Sequence, residues 1–150
     1  MSGEISNTEP CQVDFYLLGE SSPGADKLAC RLALMALERK QVIFIVTDTE
    51  NASKQLDELM WQYPQGRFIP HARSGSKDAE MAPVTIGDLS GLNQADLVIN
   101  LGPEAVPQPE RFSRVLEIVP CADDKKEASR MKYRIYRNLG LSPHTHEINK

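Results

Sequence analysis

The order of apolar and amphipathic segments restricts the possible folds of this chain more than any other feature. Apolar runs without a clean polar alternation are typical of strands buried on both faces of a sheet. Such runs occupy 12–18, 42–46, 84–87, 95–101 and 115–119. The sequence therefore predicts a three-layer α/β fold with a mainly parallel sheet flanked by helices. The helices are expected where apolar residues recur at helical spacing between or after these runs, at 26–40, 52–61 and 123–139.

The length of 150 residues corresponds to one ordinary domain. We expect residues 11–140 to form it, between a flexible N-terminal tail at 1–10 and a polar C-terminal tail at 141–150. Segment 73–82 is polar and is also predicted to be flexible. The longest strongly apolar run, 42–46, is far shorter than the roughly 20 residues of a membrane-spanning helix. The N-terminus lacks the apolar core of a secretory signal, so we expect a cytoplasmic protein.

The cysteines and the charge distribution restrict the partners of the chain. Cys11, Cys30 and Cys121 are odd in number and widely spaced, so we expect reduced thiols rather than a disulfide or a metal site. The net charge is −4, but segment 123–137 holds six basic and three acidic side chains, which leaves it at +3. An acidic body with one basic helix disfavours broad binding of duplex DNA, and it favours a local anionic partner at that helix.

The loop 19–24 contains two glycines at the separation found in phosphate-binding loops. Such a loop continues with Lys and Ser or Thr, which hold the terminal phosphate and magnesium. Ala25 and Asp26 stand there instead, and a carboxylate at a helix N-terminus repels phosphate. We therefore interpret the loop as structural, with Asp26 capping the helix. The alternative function is a small α/β nucleotide-binding hydrolase or transferase that uses Gly19–Gly24.

The histidines show no catalytic or metal-binding pattern. His71 lies beside an apolar segment, where a packed or hydrogen-bonded histidine is expected. His144 and His146 lie in the polar C-terminal segment, where metal binding would be adventitious. The spacing shows no Ser/His/Asp, Cys/His or paired-carboxylate arrangement. The sequence therefore gives no support to an enzymatic activity.

The last predicted helix carries a row of cations. Lys126, Arg130 and Arg134 are spaced by four residues, so they lie on one side of a helix. The row is either a solvated basic face or a docking surface for an acidic peptide, since Arg binds carboxylates bidentately and Tyr133 offers an aromatic wall. A third interpretation, direct binding of single-stranded DNA, finds little stacking surface here. Three apolar residues on another side of this helix are predicted to face the core: Met131, Ile135 and Leu139.

Trp61 is the only tryptophan, and it ends the second predicted helix. With Phe68 and Ile69 it forms either part of the core or an apolar patch for a partner. Aromatic residues dominate protein interfaces as well as cores, so the sequence leaves both interpretations open.

Several segments resemble the chi subunit of bacterial DNA polymerase III, a part of the clamp-loader assembly. The resemblance runs from about Phe15 to the C-terminal tail, whereas residues 1–10 and 73–82 depart from the family pattern. The segments that carry it are FYLL at 15–18, LDELMW at 56–61, FIPH at 68–71, Val119-Pro120, and the arginines and tyrosines of the last helix.

The resemblance implies a non-catalytic accessory subunit with a nucleotide-binding-like topology, no functional phosphate loop and no cofactor. It implies two partners: the psi subunit, which joins chi to the clamp loader, and the acidic C-terminal tail of the single-stranded DNA-binding protein. DNA would be contacted only indirectly. The psi-facing surface includes Trp61 and Phe68. The tail-binding surface includes Val119, Lys126, Arg130, Tyr133, Arg134 and Thr145. Family members often have Lys where this chain has Arg134, which keeps the charge but changes its geometry.

Overall fold

A seven-stranded sheet forms the centre of the structure. The computed structural model describes residues 11–20 and 24–148, so the predicted tail at 1–10 lies outside the described residues. The strands are β1 (Gln12–Leu18), β2 (Ile43–Val46), β3 (His71–Arg73), β4 (Val84–Gly87), β5 (Leu97–Asn100), β6 (Arg114–Val119) and β7 (His144–Ile148). They lie in the order β3-β4-β2-β5-β6-β1-β7, and each strand is parallel to its neighbours, as the sequence predicts.

The helices cover both faces of this sheet. The α-helices of the described residues are α1 (Ala25–Glu38), α2 (Glu50–Met60) and α3 (Asp123–Asn138). The N-cap of α2 is Thr49, whose side chain accepts a hydrogen bond from the backbone N–H of Ala52 at 3.0 Å. The prediction that Asp26 caps α1 is wrong, because Gly24 is the N-cap and Asp26 lies in the first turn. A carboxylate there still interacts favourably with the positive end of the helix. Across the described chain, none of the helices is long and apolar enough to cross a membrane.

The two faces of the sheet bury different side chains, because successive residues of a strand point to opposite sides. One face packs against α1 and α2 through aliphatic side chains such as Ile45 and Ile99. The other face packs against α3 and holds aromatic side chains such as Phe15 and Phe44. Burial on both faces explains why the central strands are continuous apolar runs rather than alternating ones.

The C-terminal segment differs from the predicted polar tail at 141–150. His144–Ile148 forms β7, which pairs with β1 and makes one edge of the sheet. The prediction is wrong here because four of the five side chains of β7 are exposed, so the strand lacks the apolar pattern that marks a buried one. Backbone pairing to β1 and the partly buried Ile148 hold the strand in place.

The side of α3 that faces the core also differs from the prediction. Met131, Ile135 and Leu139 are 58%, 44% and 55% exposed, whereas the side chains that α3 buries are Lys132 and Tyr136. The physical reason lies in the strand below, because Glu117 of β6 is fully buried between apolar neighbours. A buried carboxylate without partners costs far more than an apolar side left in water. The helix therefore turns its polar side inward.

The cysteines are free thiols, as predicted. Cys11 and Cys30 are buried, and burial raises the pKa of Cys11 to about 11 and that of Cys30 to about 12. Neither is a thiolate at neutral pH, so neither is a reactive nucleophile. Cys121 is exposed, in the connection between β6 and α3.

Candidate functional site

The predicted tail-binding residues lie on α3 and on the strands at one side of the sheet. Val119 ends β6, Thr145 lies in β7, and β1 runs between these two strands. The register pairs Val119 with Leu17 and Thr145 with Phe15. Since paired residues of neighbouring strands point to the same side, all four lie on the sheet face that α3 covers.

Tyr133 connects α3 to this part of the sheet. Its ring centroid lies 5.6 Å from that of Phe15, in a tilted arrangement. Tyr133 is half-buried, and Val119 is buried beneath the surface. The structure thus brings Val119, Tyr133 and Thr145 to one face, where Val119 supports the surface from below and the other two residues border it.

The three predicted cations form the outer row of the same helix. Lys126, Arg130 and Arg134 are all exposed. A guanidinium nitrogen of Arg130 lies 3.1 Å from the Glu127 carboxylate, one turn away on α3. An exposed pair of this kind contributes about 0–1 kcal/mol, so a ligand carboxylate can replace Glu127 at small cost. Within residues 11–20 and 24–148, no carboxylate lies within ion-pair distance of Lys126 or Arg134.

A buried polar network beneath α3 sets the position of this row. The Lys132 ammonium lies 2.8 Å from one oxygen of Glu117 and donates to the carbonyl oxygen of Gly102 at 2.5 Å. The other oxygen of Glu117 accepts hydrogen bonds from the Tyr136 hydroxyl at 2.5 Å and from the Asn100 side chain at 2.9 Å. These bonds are directional, so they fix how α3 is rotated about its own axis.

The electrostatics of the network follow from its burial. Burial raises the pKa of Glu117, although the Lys132 ammonium and the hydrogen bonds act in the opposite direction. Burial and the neighbouring carboxylate also raise the pKa of Tyr136, which stays a hydroxyl donor. Helical and strand spacing do not predict this network. The sequence signal for it is a glutamate inside an otherwise apolar strand, followed by a lysine and a tyrosine four residues apart.

A second buried carboxylate, Asp14, ties β7 to the sheet on the opposite face. Its oxygens accept hydrogen bonds from Arg114 at 3.0 Å, from His146 at 2.9 Å and from Gln12 at 3.0 Å. Burial opposes ionisation of Asp14, but the hydrogen bonds from His146, Arg114 and Gln12 and the positive charge of Arg114 together outweigh it and lower its pKa. Asp14 is therefore an anion in the folded protein at neutral pH.

We expect Asp14 to contribute to the acid sensitivity of the fold. Because its pKa is lower when folded, the ionised carboxylate stabilises the fold at pH values above its unfolded pKa of about 4, and this stability is lost as the pH falls through the folded pKa. Asp14→Asn removes the titration, so its free energy of unfolding should fall less steeply than that of the wild type below pH 4. Urea unfolding between pH 6 and pH 2 measures the two slopes. Asp78→Asn, at an exposed position, is the control, and equal slopes for Asp14→Asn and the wild type would contradict the assignment.

The second predicted surface is an aromatic patch at the other side of the sheet, formed by Trp61 and Phe68. These side chains are 59% and 64% exposed, and their ring centroids lie 5.9 Å apart. Ile69, which the sequence grouped with them, is fully buried and belongs to the core. The patch rests on His71, whose ring lies 4.7 Å from that of Trp61 and whose Nδ1 donates to the carbonyl oxygen of Ile69 at 2.6 Å. His71 Nε2 lies 3.1 Å from the Asp57 carboxylate. His71 is therefore a packed and hydrogen-bonded residue, as predicted.

The predicted loop at 19–24 is described only at its ends, since residues 21–23 lie outside the described residues. Gly24 has nothing within 4 Å of the position that a Cβ would occupy, so its backbone is not pressed against a neighbour. In the described part of the chain, no group of three or more His, Cys, Asp or Glu side chains is arranged to hold a metal ion.

Comparison with solved structures shows the fold alone. The chain superimposes with a TM-score of 0.59 on a chain in the structure of an S. cerevisiae Dbp5 variant bound to Nup159, Gle1, IP6 and ADP. The match covers 89% of this chain but only 41% of that chain, at 9% sequence identity. A likeness at this level of identity supports the α/β architecture and carries no functional meaning.

Comparison with protein families identifies the relatives of the chain. Residues 11–144 match the family model described as DNA polymerase III chi subunit, HolC. The chain is 36% identical over 140 residues to the DNA polymerase III subunit chi of Pseudomonas aeruginosa, a match that covers 91% of this chain and 96% of that protein. It is 28% identical to the subunit chi of Haemophilus influenzae and 27% identical to that of Escherichia coli, with 89% and 87% of this chain and 95% and 94% of those proteins covered. The chain therefore belongs to the DNA polymerase III chi subunit family, whose members are accessory, non-catalytic subunits in DNA replication.

Proposed function

We propose that this chain links the clamp loader to the single-stranded DNA-binding protein in the cytoplasm. It binds the psi subunit through the aromatic patch, and it binds the acidic C-terminal tail of the single-stranded DNA-binding protein through α3. The observation that carries the second part is the exposed row of cations on α3, the helix that also carries Tyr133. Within the described residues this row has one weak ion pair to displace, so its charge is available to a ligand.

The chemistry of the surface fits a tail that ends in acidic residues followed by an apolar C-terminal residue. The acidic side chains of the tail would lie near Lys126 and Arg134, whose exposed charges attract carboxylates without requiring a fixed hydrogen-bond geometry. Arg130, in the middle of the row, would take the terminal carboxylate bidentately. The last side chain would lie against the Tyr133 ring, with Val119 beneath it.

The mode of binding suits a tether. A few exposed charges and one ring give a modest affinity that falls with salt, because screening weakens attraction between surface charges. Many copies of the tail are present on one coated DNA strand. Multivalency of that kind keeps the complex on the strand although each contact is weak.

We expect Arg130→Ala to weaken tail binding about tenfold to a hundredfold. The reason is that a hydrogen bond to a charged group contributes about 1.5–3 kcal/mol, and 1.4 kcal/mol corresponds to a factor of ten. The measurement is calorimetric titration of the purified chain with an acidic peptide ending in Asp-Phe, at two salt concentrations. Arg31→Ala, at an exposed position on α1 and thus on the opposite face of the sheet, is the matched control and should bind like the wild type.

Three results would count against the proposal. An affinity that does not change with salt would show that exposed charges do not bind the peptide. Equal losses in Arg130→Ala and Arg31→Ala would show a general charge effect rather than a site. Absence of binding by folded wild-type protein would remove the tail-binding function, and a rise in melting temperature with ATP or GTP would then support the nucleotide-binding alternative.

A further inference from the structure

The two faces of β7 have different neighbours. On one face lies Thr145, in register with Phe15 and on the side of the sheet that α3 covers. On the other face, His146 Nε2 donates a hydrogen bond to Asp14 at 2.9 Å. The His146 ring also packs edge-to-face on Tyr16, with centroids 5.2 Å apart. Among the described hydrogen bonds, this is the side-chain bond that joins the middle of the strand to the interior.

We propose that His146 is a positioning residue for the acidic-peptide surface, because its bond to Asp14 holds β7 and thereby keeps Thr145 in register with Phe15, the residue on which Tyr133 packs. The inference rests on the proposed function, since Thr145 contributes to binding only if an acidic tail occupies this face. An edge strand whose side chains are mostly exposed opens locally at a low free-energy cost. One charge-assisted hydrogen bond therefore changes the fraction of time that β7 is paired.

His144 provides a natural comparison within the same strand. It lies on the same face as His146 and is directly in register with Asp14, but its Nδ1 is 4.0 Å from the carboxylate and makes no hydrogen bond to it. The two residues share side-chain type, face and strand, and differ in that one contact and in the packing on Tyr16. A difference between their variants therefore reports on the contact rather than on histidine chemistry in general.

The remaining partners of Asp14 confine the effect of removing His146 to β7. Arg114 on β6 and Gln12 on β1 still donate to the carboxylate when His146 is absent. Asp14 therefore keeps its charge partner, and the centre of the sheet keeps its contacts. The element that loses its side-chain anchor is the edge strand.

The test compares His146→Ala, His146→Gln and His144→Ala in the full chain, by amide hydrogen exchange of β7 and by titration with the acidic peptide ending in Asp-Phe. In His146→Ala, the amides of β7 should exchange about tenfold faster than in the wild type. The same variant should bind the peptide about threefold to tenfold more weakly. His146→Gln places an N–H donor near the position of Nε2, so it should restore most of both properties. His144→Ala should behave like the wild type.

Other results would overturn either the inference about His146 or the proposed function. Unchanged exchange in His146→Ala, or no rescue by His146→Gln, would overturn the anchoring role. Faster exchange with unchanged peptide affinity would show that β7 does not position the surface, which also overturns the inference while the proposed function stands. A wild-type protein that does not bind the peptide would remove the proposed function itself.

Discussion

Lys132→Met should lower the free energy of unfolding by about 3–5 kcal/mol, since it leaves a buried charge without its partner. Lys132 Nζ lies 2.8 Å from the Glu117 carboxylate, and both side chains are almost fully shielded from water. Methionine fills a similar volume, so the loss reports on charge rather than on a cavity. Chemical denaturation of the variant and the wild type measures the difference.

Two further variants make this result specific. Lys125→Met changes an exposed lysine near the start of the same helix, and it should alter stability by less than about 0.5 kcal/mol. The double variant Lys132→Met with Glu117→Gln removes the unpaired charge but keeps a carbonyl acceptor for Tyr136 and Asn100, so it should recover a large part of the loss. A Lys132→Met variant as stable as Lys125→Met would contradict the network as described.

Trp61→Ala should weaken binding of the psi subunit about 30-fold or more and leave the fold intact. Interface hot spots are enriched in tryptophan, and truncation of a hot-spot residue costs about 2 kcal/mol or more. The exposed Trp61 side chain packs on Phe68 and His71 at the patch surface, so its loss removes little of the core. The dissociation constant with purified psi subunit and the melting temperature of the chain are the two measurements.

The control for this prediction is Leu139→Ala, which removes a similarly exposed apolar side chain at the C-cap of α3, on the opposite face of the sheet. It should bind psi like the wild type. If both variants lose binding equally, the loss reflects exposed apolar area in general. If neither loses it, psi binds elsewhere and the aromatic patch serves another purpose.

The sequence predicts an element of this structure well where the buried side of that element is apolar. The central strands β1, β2, β5 and β6 are predictable because both of their faces are buried, which leaves continuous apolar runs. β7 is not, because its contacts with the sheet are backbone pairing, the partly buried Ile148 and the bond between His146 and Asp14, residues 132 positions apart. Helical spacing in α3 predicts the apolar row at Met131, but spacing alone does not tell which side of a helix faces inward.

The candidate site also has one part that the sequence predicts and one part that it does not. The row of cations follows from a four-residue spacing, so local sequence is sufficient to predict it. The surroundings of this row are not local in sequence, since Tyr133 packs on Phe15 of β1 and Thr145 reaches the same face through the pairing of β7 with β1. Glu117 is the strongest sequence signal for the part of the site that spacing does not predict, because a carboxylate inside a buried strand requires partners. Its need for Lys132 and Tyr136 determines the orientation of the helix.

The order of the strands also has a mechanical consequence. The aromatic patch sits by β3 and the cationic surface by β1, five strand spacings apart, or about 24 Å across the sheet. A pull applied between these two surfaces runs across the strands and loads successive backbone ladders in series. In such an arrangement the shortest ladder yields first, and β3, with three paired residues, is the shortest. Under the proposed function the chain would hold its two partners at this spacing, with the shortest ladder of the sheet at the aromatic end.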